Sequence, residues 1–134
     1  MKKKEVVLVL GSGGARGLAH IGVIEALHQR GYKIVEIVGC SIGAVVGGIY
    51  AAGFLDDFKK WICNLDTFGV YNLMDFTLTT QGFIKGEKVF NEIKKFVNSK
   101  PIEALNIPFK AVAVDVHGQK MHVFKQGDLF TAIR

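Results

Sequence analysis

The chain has 134 residues, 49% of them apolar with glycine excluded, sixteen glycines, two prolines and a formal net charge of +5. That length suits one domain with a real core, and the apolar share suits a sheet covered on both faces. No apolar run reaches the ~18 residues of a membrane-spanning helix, two cysteines make no disulfide framework and fit a reducing cytoplasm, and nothing resembles a nucleic-acid module. Lys2, Lys3 and Lys4 supply three of the net positive charges. They read first as a solvated tail, and second as a weak attraction to an anionic membrane surface.

Glu5–Leu10 (EVVLVL) is a continuous apolar run and predicts a first strand; it is too short, and followed by the wrong sequence, for a signal peptide. Gly11–Gly17 (GSGGARG) is a glycine-rich loop. Leu18–Arg30 places Leu18, Ile21, Ile24 and Leu27 at helical spacing, with Gly31 as C-terminal cap. Ile34–Val38 (IVEIV) predicts a buried strand, and Ala44–Ala52 (AVVGGIYAA) a tightly packed helix ending at Gly53. This order implies parallel strands joined by a right-handed crossover.

A short helix over Asp56–Asn64, capped by paired acids, comes next. Thr67–Gly82 has no clear period and predicts an irregular cover, in which Leu73, Met74, Phe76 and Leu78 read as core packing before they read as a lip for lipid. Gly86–Asn98 spaces Val89, Ile93, Phe96 and Val97 down one helical face. Phe109–Val116 alternates like a strand, and His117–Lys120 predicts the turn of a hairpin into Met121–Lys125. Asp128 is an N-cap for a helix that has only begun at Leu129–Arg134. The sequence therefore reads as the N-terminal part of a longer domain. An apolar surface left by the unfinished helix would favour self-association.

Gly39-Cys40-Ser41-Ile42-Gly43 joins the second strand to the packed helix as a G-x-S-x-G pentapeptide. A serine on so sharp a turn is pushed out of the fold, with its hydroxyl at the positive end of the following helix. Gly39 and Gly43 tolerate the strain and allow close backbone approach. Ser41 is thus the candidate nucleophile. In the glycine loop, backbone N–H groups converge and can hold a phosphate or the oxyanion of a tetrahedral intermediate, while Gly13 and Gly14 leave room for an ester carbonyl. Taken alone, that loop also fits a plain tight turn or a dinucleotide-binding turn. The dinucleotide fingerprint misses, because Gly11, Gly13 and Gly17 are out of register by one at the last glycine. It would also need Glu36 as ribose ligand, inside a strand. Loop and elbow together are more specific, since both fall at the C-terminal edge of adjacent parallel strands.

These residues resemble a family. Gly11–Val23 (GSGGARGLAHIGV) with Gly39–Ala44 (GCSIGA) is similar to the patatin-like phospholipases of the bacterial cytoplasmic type, and Phe109–Asp115 and Gly127–Leu129 extend the likeness over almost the whole chain. The resemblance implies an α/β fold of three layers, a mainly parallel central sheet with helices on both faces, of which residues 1–134 are the N-terminal part of a single domain. It also implies a lipid acyl hydrolase working by a Ser-Asp dyad. Ser41 would be its nucleophile, and Gly13, Gly14, Ala15 and Arg16 its oxyanion hole. Ser12 and Cys40 stand where a glycine and a threonine are more usual. The family's catalytic aspartate lies in an Asp-Gly-Gly or Asp-Gly-Ala motif beyond Arg134, and this sequence contains no Asp-Gly dipeptide. Asp115 aligns with a different aspartate.

A serine hydroxyl without a base is a weak nucleophile, so these 134 residues alone should hydrolyse feebly. His20 is expected to make a packing or backbone contact, and His28, His117 and His122 to lie on solvated surfaces; none reads as the base. The reaction calls for no metal and no organic cofactor. The substrate class is a lipid or other acyl ester, met in the cytoplasm or peripherally at a membrane. The rival readings are a nucleotide-binding α/β module and a non-catalytic fragment.

Overall fold

The first strand, β1 (Lys4–Leu10), pairs in parallel with β2 (Tyr32–Cys40), β2 pairs in parallel with β3 (Phe109–Asp115), and β3 turns back antiparallel onto β4 (Lys120–Phe124), giving one sheet in the order β1-β2-β3-β4. This is a computed structural model, and it describes residues 4–66, 69 and 89–134. Apart from Gly69, the cover expected over Thr67–Gly82 lies outside the described residues, together with the apolar group at 73–78.

β2 runs longer than its apolar centre suggested, and it carries a bulge. Val6 pairs with Ile34 and Val7 with Glu36, so Val35 is the extra residue. Ile34 and Ile37 are both buried although they are three apart, a spacing that plain alternation forbids. The bulge resolves the conflict: it restores both isoleucines to the face shared with Val6, Leu8 and Leu10, and turns Glu36 to the other. There Glu36 meets Lys110 across the β2–β3 pair, with Nζ and Oε1 2.5 Å apart.

The helices stack against the isoleucine face. Between β1 and β2 the chain forms a 3₁₀ turn over Gly14–Leu18 and then α1 (Ala19–Gln29). As expected, Gly31 follows in the left-handed region at φ 76°, where its N–H closes onto the His28 carbonyl. After β2 comes α2 (Ile42–Ala52), hydrophobic all round and buried on most of its surface, as such a helix must be. Gly47 lies over Ile37, Leu10 and Phe109, and Gly48 against Leu129 and Ile133. Missing Cβ atoms let α2 settle close on the sheet.

α3 (Leu55–Cys63) buries Leu55 and Phe58. Its acids do not cap it; Phe54 holds the cap position, and Asp56 and Asp57 sit in the first turn, where the helix dipole favours them. Residues 89–93 are helical and the chain turns at 94–97, so the described part of the helix expected over Gly86–Asn98 ends earlier, with residues 86–88 outside the described ones; Phe90, Ile93 and, after the helix, Val97 are buried. α4 (Leu129–Ile133) starts at the expected Asp128, whose side chain accepts from the Thr131 N–H at 2.8 Å.

α1 lies beside α2, joined by His28 Nε2 and the Tyr50 hydroxyl 2.5 Å apart, and Glu25 of α1 reaches Lys59 of α3 at 2.6 Å. Of the two helical layers expected, the described residues supply this one. The opposite face of the sheet carries Val7, Val9, Val114, Met121 and Val123 in the open, with Val9 72% exposed.

Candidate active site

β1 and β2 end side by side, Leu10 paired with Gly39, and at that shared edge each strand hands over to one half of the candidate site. From β1 the chain enters Gly11–Gly13 and the 3₁₀ turn. From β2 it passes through Cys40 and Ser41 straight into α2.

Ser41 has φ 54° and ψ −128°, one of two positive-φ residues other than glycine among those described. An L side chain held there costs about 1–3 kcal/mol and persists only where its surroundings impose it. Those surroundings are specific. A Cβ on Gly39 would stand 2.5 Å from Ala44 Cα and 2.6 Å from its nitrogen, so the strand end and the first helical turn touch through backbone alone. A Cβ on Gly43 would collide with the Leu10 carbonyl oxygen and stand 2.6 Å from that of Gly11. Ser41's carbonyl accepts from Ala44 and Val45 at 2.8 and 3.1 Å, starting the helix, while its side chain makes no capping bond. The hydroxyl, on an exposed residue, is therefore not consumed by the turn that positions it.

The glycine loop is pressed against this elbow. Gly43 lies on the Leu10 and Gly11 carbonyls, and a Cβ on Gly17 would overlap the side chain of Ile42, the residue after Ser41. Gly13 caps the 3₁₀ turn with no side chain contributing, so the amides of Gly14, Ala15 and Arg16 occupy the first turn of a helical stretch. First-turn amides lack intrahelical acceptors and carry the positive end of the dipole. Arg16 is exposed.

His20 donates from Nε2 to the Gly11 carbonyl at 2.9 Å, the backbone contact expected of it. His28 is exposed, as expected, and also pairs with Tyr50, whose hydroxyl is pushed up from its ordinary value by burial. Asp115 folds back on the β3–β4 turn and accepts from the His117 N–H at 3.0 Å. Among the described residues no group of three or more His, Cys, Asp or Glu could hold a metal ion, and no helix is long and apolar enough to cross a membrane. The contact of Gly17 with Ile42 was not legible in the sequence; its only trace there is a glycine persisting where helical spacing begins.

The sequence model described as patatin-like phospholipase matches residues 8–134. The chain belongs to this family. An uncharacterized NTE family protein of Mycobacterium tuberculosis is 48% identical over 129 residues, covering 96% of this chain and 36% of the relative. Human patatin-like phospholipase domain-containing protein 6 is 31% identical over 134 residues, covering 96% of this chain and 10% of that protein. Lysophospholipase NTE1 of Cryptococcus neoformans is 33% identical over 139 residues, covering 98% and 8%. The chain thus spans about a third of the length of the mycobacterial relative and a tenth or less of the eukaryotic ones.

Proposed function

We propose that this chain carries the nucleophile and the oxyanion pocket of a serine lipid acyl hydrolase, as the N-terminal part of a single patatin-like domain. The observation that carries the reading is Ser41: a strained, exposed serine whose turn is sealed by two glycines and pressed against a helix-opening glycine loop. Its substrate is a fatty-acyl ester, in a phospholipid or lysophospholipid. The name of the Cryptococcus relative, a lysophospholipase, agrees with that class.

In this mechanism the Ser41 hydroxyl attacks the ester carbonyl, and the amides around Gly13–Arg16 take the negative charge that develops on its oxygen. Such donors act on the transition state more than on the ground state, and losing one typically costs about 10²–10³ in rate. Collapse of the tetrahedral intermediate expels the alcohol and leaves an acyl-serine, which water then hydrolyses. The proton of Ser41 passes to a carboxylate at hydrogen-bond reach and from it to the departing alcohol oxygen; that carboxylate is an aspartate carried by sequence other than these 134 residues. Asp115 does not serve, being engaged with the hairpin turn. The protein works in the cytoplasm and meets its lipid peripherally at a membrane surface.

A nucleotide-binding reading needs Glu36 as ribose ligand, and Glu36 is paired with Lys110 within the sheet. The test is direct. In the full-length protein Ser41→Ala should abolish turnover of a chromogenic acyl ester and labelling by a fluorophosphonate; turnover at the wild-type rate refutes the assignment.

A further inference from the structure

The glycine loop presents a mechanical problem. Its donors are useful only if their directions are set before substrate arrives, yet Gly11 and Gly14 have nothing within 4 Å of where a Cβ would lie. Neither intrinsic stiffness nor packing on the Cβ side therefore holds these two residues. Among the described residues, the side-chain hydrogen bond that reaches the loop comes from His20, across nine positions, onto the Gly11 carbonyl. That oxygen also lies against the elbow, 2.6 Å from where a Cβ on Gly43 would stand. One carbonyl is thus held by α1 and packed on by the first turn of α2. The peptide unit is planar, so fixing the Gly11 carbonyl also fixes the Ser12 N–H and the direction in which the loop departs.

We propose that His20 is a positioning residue for the oxyanion pocket: its Nε2–H clamps the Gly11 carbonyl and so aims the amides of Gly13–Arg16 at the carbonyl that Ser41 attacks. The inference rests on the acyl-hydrolase reading above and extends it. His20 is not a base here. A carbonyl oxygen can only accept, so Nε2 carries the proton, and that nitrogen is committed to holding the loop. Because the donors act in the transition state, loosening them lowers kcat and leaves KM nearly unchanged.

The experiment compares His20→Phe, which keeps the ring volume without a donor, and His20→Gln, whose amide nitrogen reaches about as far as Nε2, with the wild type and Ser41→Ala in the full-length protein. Chromogenic-ester kinetics and thermal melting are the readouts. His20→Phe should lose about 10–100-fold in kcat, the scale set by a donor displaced by about an ångström, with KM within about twofold. His20→Gln should recover most of that loss. The neutral His20 ring should show the Nε2–H tautomer by ¹⁵N–¹H correlation NMR, a readout that needs neither turnover nor a folded variant.

A folded His20→Phe with wild-type kcat overturns the proposal. So does a folded His20→Gln no better than the phenylalanine variant, or a ring protonated on Nδ1 alone. Ser41→Ala with wild-type turnover overturns the hydrolase reading itself and this inference with it. An inactive Ser41→Ala beside an unimpaired His20→Phe removes only the role of His20.

Discussion

Replacing Gly43 by alanine should injure both stability and catalysis, against the usual preference of helices for alanine. Gly43 is the second residue of α2, where the exchange ordinarily gains up to about 1 kcal/mol. Here the new methyl would stand 2.6 Å from the Gly11 carbonyl oxygen, about 0.8 Å short of an ordinary 3.4 Å contact, and nearer still to that of Leu10. Both obstacles are backbone at the end of β1, so the helix start must move away by about an ångström. Overpacking of this kind costs about 1–3 kcal/mol, which outweighs the propensity gain. The motion also draws Ser41 from the glycine loop, and a misplacement of about 1 Å costs about 10²-fold in rate. Gly22→Ala is the matched control: it lies on the exposed side of α1 with nothing within 4 Å of the new methyl, and should stabilise by up to about 1 kcal/mol. Both variants are made in the full-length protein and measured by thermal melting and ester turnover. A Gly43→Ala protein that melts no lower than Gly22→Ala and turns over normally would refute the steric reasoning.

Ser41→Gly should raise the melting temperature while ending turnover, because glycine accepts φ 54° without strain; relief of about 1–3 kcal/mol, less about 1 kcal/mol for the freer unfolded chain, leaves about 1 kcal/mol of gain. A lower melting temperature would show that the elbow holds no strain. Asp128→Ala should cost about 0.5–2 kcal/mol by denaturant unfolding through loss of the α4 cap, and an unchanged midpoint would deny the cap any role. Hydrogen bonds from Ser99 and Thr131 hold the Asp128 carboxyl below its ordinary 3.8. A carboxyl lowered by folding stabilises fully above its unfolded value and loses that contribution as pH falls through the folded one. The stabilisation should therefore persist above about pH 4 and fade below it. Asp128→Asn, which still caps but does not titrate, should flatten that acid decline; identical pH profiles would remove Asp128 as a source.

The local elements and their order could be read from the chain because each rests on neighbours in sequence. Apolar runs marked β1 and β2, alternation marked β3, helical spacing marked α1, and Asp128 marked the start of α4. The G-x-S-x-G pentapeptide between a strand and a small-residue helix marked Ser41 as the residue on a strained turn. The loop and the elbow could be placed at one sheet edge, since a parallel β-α-β unit puts consecutive strand ends together.

What remained hidden was whatever depends on atoms brought together from afar. The isoleucines of β2 are three apart, and only pairing with β1 reveals the bulge at Val35 that buries both. Helical spacing could suggest a backbone contact for His20 but not that its partner is the Gly11 carbonyl, nor that His28 meets Tyr50 twenty-two positions away. Whether α1 lies beside α2 or beneath the sheet is likewise decided by how the strands are ordered, to which helical spacing is blind. Sequence pattern determined which residues must be apolar, small or sharply turned. Tertiary packing decided which atoms they touch, because close contact is a property of folded surfaces and carries no periodicity along the chain.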